Sequence, residues 1–144
     1  MLKSTLIKFN QALDNNDLGK LILRITVGGL ILFHGWHKLI GGIGGIQGML
    51  AEHGVPAFFG YGVLIGEVVA PVLIVLGILT RPAALVLAAT MFVAWLMAGL
   101  GKTFLLTSVG AWAIEDLAFF FLAAVAVALL GSGRFSVCTN PLWR

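Results

Sequence analysis

Pro82-Ala-Ala-Leu-Val-Leu-Ala-Ala-Thr-Met-Phe-Val-Ala-Trp-Leu-Met-Ala-Gly-Leu100 decides the fold class. The run is uncharged from end to end. A bilayer core about 30 Å thick takes about 20 apolar residues per helix, and this run has that length. Working outward, residues 60–79, 18–40 and 111–130 repeat the pattern. These four stretches hold most of the apolar residues, which make up 60% of the chain. Only 10% of its 144 residues are charged, against about 25% in an ordinary soluble domain. A globule of this size leaves about a third of its surface wet, too much to hide that apolar content. A soluble enzyme is excluded, and so is a disordered chain. A disulfide scaffold is excluded as well, because Cys138 stands alone. The expected architecture is all-α, a transmembrane four-helix bundle.

The ends of the runs carry stop signals. Asp17 is expected to cap the first span. Thr80 is expected to cap the third, with Pro82 in its first turn. Gly131, Ser132 and Gly133 end the fourth. No secretory signal peptide is evident. In residues 1–17, Leu2, Leu6, Ile7, Phe9 and Leu13 alternate with Lys3, Lys8 and Gln11. That spacing predicts a short amphipathic helix lying in the interface, with its lysines on anionic headgroups. The chain then divides into an arm at 1–17, a membrane domain at 18–137 and a cytoplasmic tail at 138–144. Lys3, Lys8, Lys20, Arg24, Arg81, Arg134 and Arg144 fall on one side, and Lys38 and Lys102 on the other. Positive-inside bias puts both termini in the cytoplasm. The net charge of +3 is a topology signal, and no nucleic-acid partner is expected. Gly99-Leu-Gly-Lys-Thr103 lacks the leading glycine and the strand of a phosphate-binding loop, and the glycines of 41–48 lack dinucleotide spacing. The latter read as a flexible loop or packing turn.

The informative residues are polar ones inside the spans, each costing roughly 2.5–3.5 kcal/mol near the bilayer centre unless partnered. Arg24, Gly28, Ile31, His34, Gly35 and Lys38 fall on one arc of the first span, with His37 to one side. Arg24 and Lys38 could each snorkel to an interface. Glu67 lies about 10 Å below the outer end of the second span. Pro71, four residues later, removes the hydrogen bond to its carbonyl. A kink and an unpaired acceptor are expected there. Glu115 shares a face with Ala111, Ala118 and Ala126, which suits the bundle interior, whereas Asp116 reads as interfacial. His34, His37, Lys38, Glu67, Glu115 and Asp116 should therefore converge on the outer half of the bundle, while the uncharged third span faces lipid. The plainer reading of Glu67 is a structural ion pair with His34 or Lys38. His34 and His37 with a carboxylate make only a loose metal pattern.

Phe33-His34-Gly35-Trp36-His37-Lys38-Leu39 resembles the histidine–glycine–lysine motif of the DoxX family. Glu52-His53-Gly54-Val55-Pro56, Gly66-Glu67, Thr80-Arg81-Pro82, Glu115 and Gly131-Ser132-Gly133-Arg134-Phe135-Ser136 follow in similar order and spacing. The resemblance covers residues 18–137. One departure is that Val137 and Cys138 stand where an Asp commonly closes the last motif. The resemblance implies a small four-helix protein of the bacterial inner membrane, of a family linked by name to quinone-dependent oxidoreductases. On this reading His34, Lys38, Glu67 and Glu115 are the candidate catalytic, proton-handling residues, and His37, Trp36 and Pro71 are candidates for a quinone pocket. Arg24, Arg81 and Pro71 serve structure and topology. The expected partners are the bilayer, a soluble or membrane oxidoreductase, and a second copy of the chain. Two other functions stand beside this one, a non-enzymatic anchor or assembly factor and a small proton-coupled transporter.

Overall fold

The computed structural model describes residues 2–144. The described residues form helices α1 (Leu2–Leu13), α2 (Asn16–Gly41), α3 (Gly44–Glu52), α4 (Ala57–Leu76), α5 (Thr80–Lys102) and α6 (Glu115–Leu130), and no β-strand. Three of them, α2, α4 and α5, are long and apolar enough to cross a membrane.

The cap of α2 is Asn15, whose side chain accepts from the Leu18 N–H at 3.0 Å. This bond satisfies one of the four free donors of the first turn. Asp17, the expected cap, lies inside that turn. It instead accepts the Arg134 backbone N–H at 3.0 Å and faces Arg134 Nε at 3.8 Å.

Arg24, Val27, Gly28, Ile31 and Gly35 line the buried face of α2. Their three- and four-residue spacing puts them on one stripe, and α4 packs along it. A Cβ on Gly28 would lie 2.9 Å from the Pro71 carbonyl oxygen, and one on Gly35 would collide with the carbonyl of Glu67. On the other side of α4, a Cβ on Gly66 would collide with the Thr90 hydroxyl of α5. Small residues at the crossings thus let these backbones approach closely, the usual device where lipid removes the hydrophobic drive for helix association.

Between α4 and α5, Gly77 takes the left-handed conformation at φ 77°. Its N–H and that of Ile78 return to Leu73 O at 2.9 and 3.0 Å, a closure that needs a residue tolerant of positive φ. Leu79 follows with φ 46°, the one described non-glycine residue at positive φ. Its N–H donates to Trp143 O at 2.6 Å, so part of the expected tail is tied to the membrane domain. Thr80 starts α5 but does not cap it. Its hydroxyl is buried without a hydrogen-bond partner.

The uncharged third span is expected to face lipid, and only one side of it is free to do so, where Leu85, Val86, Phe92 and Val93 are exposed. Thr80, Ala83, Ala84, Leu87, Ala88 and Met91 of α5 are buried. They meet Ala123, Ala124, Val127 and Ala128 of α6 in the central core. Absence of charge predicts freedom to face lipid, but alanine spacing decides which face is packed.

α6 is 16 residues long and begins at Glu115, later than expected. Residues 103–114 fold back instead, with Thr107 N bonded to Ala111 O at 2.8 Å and Ala113 N to Leu105 O at 3.0 Å. Helix geometry gives α6 about 24 Å of length. The glycine run at 41–48, expected as a loop, enters α3 at Gly44 after Gly42 turns at φ 81°. α1 is helical as expected, and none of its residues is buried.

Candidate functional site

The site follows from Pro71. A proline cannot donate to the carbonyl four residues back, and that carbonyl belongs to Glu67. The helix responds by widening. Ile65–Val69 form a π-turn in which Ala70 N–H reaches back five residues to Ile65 O. Single π-turns of this kind often sit at functional positions. The Glu67 carbonyl lies against the Cα of Gly35, where only a glycine leaves room. The expected disturbance at Glu67 is therefore real, and it takes the form of a widened turn.

That turn carries a carboxylate into the protein interior, where Glu67 is 5% exposed. The Lys38 ammonium donates to both of its carboxylate oxygens. Lys38 therefore does not snorkel. A charge buried in a low-dielectric medium needs a close opposite charge, and this contact supplies it with a hydrogen bond to each carboxylate oxygen. Gly35 and Lys38 are three residues apart in α2, so the glycine that admits the α4 backbone also brings the lysine to the carboxylate.

The other candidates do not join this pair as closely. His34 stands one turn from Lys38 and is exposed. Its Nδ1 lies 3.1 Å from its own turn's Leu30 O, and its ring sits edge-on to Phe120 of α6 at 6.1 Å. Trp36 and His37 are exposed on α2, and Pro71 is buried at the α2–α4 crossing. Glu115, expected inside the bundle, is exposed together with Asp116 in the first turn of α6. Carboxylates there sit favourably at the positive end of the helix dipole. The expected convergence of six ionisable groups thus contracts to Lys38 and Glu67. Among the described residues, no three His, Cys, Asp or Glu side chains gather to hold a metal ion.

At the opposite end Arg24 is 1% exposed and does not snorkel. Its guanidinium donates to Ser132 O at 2.5 Å, Phe135 O at 2.7 Å and Val75 O at 3.3 Å. Arg81 donates to Ala128 O at 2.8 Å and Leu129 O at 2.9 Å. It thereby satisfies carbonyls that the end of α6 leaves free. Both arginines bind main-chain oxygens.

Sequence reasoning missed a cavity of about 260 Å³ between α5 and α6, lined by Met91, Phe92, Trp95, Trp112, Leu117 and Phe121 among others. None of Trp36, His37 and Pro71 lines it. The aromatic spacing of Phe92 and Trp95 was the only hint in the sequence. The void itself depends on where residues 103–114 turn back.

Among known families, DoxX matches residues 19–100. That range covers α2 to α4 and most of α5, with both residues of the ion pair. No curated protein and no solved structure matches the chain.

Proposed function

The chain belongs to the DoxX family, and from that premise we propose that it is a membrane component of a quinone-linked oxidoreductase system. On this reading the chain sits in the bacterial inner membrane as a four-helix bundle, α6 completing three longer spans, with both termini cytoplasmic and α1 on the inner surface. The observation that carries the functional part is the buried Lys38–Glu67 ion pair beside the π-turn. Ionisable groups within spans cost free energy and commonly mark proton or substrate paths.

The chemistry assigned to the pair is modest and concrete. An ammonium has three donors, and Glu67 accepts two of the bonds from Lys38. The third can orient a quinone carbonyl oxygen. Glu67 can hold a proton on Oε1 or Oε2, and His34, one turn away and exposed, can exchange protons with the outer surface. Quinone reduction also takes electrons, which a partner protein supplies on this reading.

The test is quinone binding by the purified chain in lipid nanodiscs. Glu67→Gln keeps the shape and removes the charge, and should weaken binding about tenfold, or roughly 1.4 kcal/mol. No binding by the unaltered chain, or equal binding by Glu67→Gln, would overturn the proposal. A non-enzymatic anchor is the second reading, and α1 favours it, because the helix leaves its apolar residues unburied. That reading predicts a partner complex that survives Glu67→Gln and is lost when residues 2–13 are deleted.

A further inference from the structure

The cavity between α5 and α6 is separate from the Lys38–Glu67 pair, and the proposed function does not use it. We propose that it binds one hydrocarbon chain, acyl or prenyl, of a membrane amphiphile. The cavity surface is entirely apolar. Phe92, Trp95, Trp112 and Phe121 supply aromatic wall. Two of these rings carry an N–H, and both are already engaged. Trp95 Nε1 donates to Thr103 Oγ at 3.0 Å, and Trp112 Nε1 donates to Thr103 O at 2.7 Å. The Thr103 hydroxyl in turn donates to Gly99 O at 3.2 Å. The polar atoms of the wall thus satisfy one another. A carbonyl, phosphate or ammonium placed there would find no partner and would pay its full desolvation cost. A hydrocarbon chain needs none.

Size points the same way. An apolar cavity of about 150 Å³ already takes up benzene, whereas sites that enclose a whole drug-sized ligand run to roughly 300–1,000 Å³. At about 260 Å³ the space suits a stretch of chain whose headgroup stays outside. The shape is also built in. Trp95–Gly99 form a second π-turn, and a Cβ on Gly99 would sit 2.9 Å from Trp95 Cδ1 and 3.3 Å from Leu117 Cδ1. Gly99 therefore lets the Trp95 ring lie where it forms the wall.

Trp95 and Trp112 are natural reporters once Trp36 and Trp143 are replaced by Phe. The purified chain in detergent micelles is titrated with a phospholipid brominated on its acyl chains, and separately with a long-chain prenyl benzoquinone. Both quench indole fluorescence at contact range. Saturable quenching is expected, reversed by the unbrominated lipid. A tail-less benzoquinone should need at least about tenfold more ligand, the loss of roughly 1.4 kcal/mol of chain contact. Ala118→Phe, which fills the cavity from α6, should remove most of the saturable quenching. Glu67→Gln should leave quenching by the brominated phospholipid unchanged, so failure here and failure of the quinone reading are told apart. Saturation by only one ligand identifies the chain as acyl or prenyl. Quenching that rises without saturation and is not reversed by unbrominated lipid would overturn the proposal, even if Ala118→Phe fails to fold. A folded Ala118→Phe that quenches like its parent would also overturn it.

Discussion

At Gly35 the two helices that carry Lys38 and Glu67 meet backbone to backbone. A methyl there collides with a carbonyl, and neither main chain can move aside cheaply. Gly35→Ala should therefore destabilise the protein by about 1–3 kcal/mol, the usual range for overpacking, read as a lowered unfolding midpoint in detergent. Gly29, on the same helix, has open space around its Cα, and Gly29→Ala should be neutral or slightly stabilising. Lys38→Met should be more damaging than either double or conservative changes. It leaves Glu67 buried without its partner, a loss of about 3–5 kcal/mol in comparable settings. Lys38→Met with Glu67→Gln should recover most of that stability, and a double-mutant cycle measures the coupling. A pairing of Glu67 with His34 or Lys38 was legible, because depth arithmetic and the arc of α2 put all three at one level of the expected bundle, but which of the two it would be was not. The exposure of Glu115 was not, because it depends on where α6 begins.

Among the elements, the α4–α5 turn and the start of α6 separate what sequence can and cannot announce. Glycine at position 77 is a recognisable helix stop, and the structure uses it as one, at positive φ. Gly77→Ala should be destabilising, since its Cβ would also lie 2.7 Å from Arg24 Nη1. Leu79→Gly at φ 46° should cost much less, because relief of a left-handed leucine is worth roughly 1–2 kcal/mol and offsets lost side-chain contacts. Comparing the two unfolding midpoints checks the contrast. The apolar run 111–130 gave the existence of α6 but not its first turn. The Thr107–Ala111 and Leu105–Ala113 hydrogen bonds draw residues 111–113 out of the helix, and such bonds leave no trace in hydropathy. The glycines of 41–48 misled in the opposite sense. Low intrinsic helix propensity was overridden in α3, where Leu50 is buried and Gly60 packs near Ile43 and Leu50.

Over the whole molecule, hydropathy conveyed the class and three long spans, and basic-residue asymmetry conveyed an orientation that remains a proposal. Cys138 offers a direct check, being the single cysteine and partly exposed. With cytoplasmic termini, a membrane-impermeant maleimide should label it in inverted vesicles and not in intact spheroplasts. Labelling in spheroplasts would reverse the topology. The Arg24 network was illegible for a different reason. Arg24 could be seen as an arginine in a span, but its partners are main-chain carbonyls, which every residue has and no composition reveals.

Two of those three partners stand 108 and 111 residues further along the chain. During synthesis α2 should reach the membrane long before Ser132 and Phe135 leave the ribosome. Until then the guanidinium has only one of the three oxygens it binds in the finished protein, that of Val75. α2 should then stay near the headgroups and settle to its final depth only when the last segment arrives. Quality control in the cell would then have a simple criterion: chains truncated before residue 132 leave Arg24 short of two of its three carbonyls and should be cleared, however hydrophobic their spans.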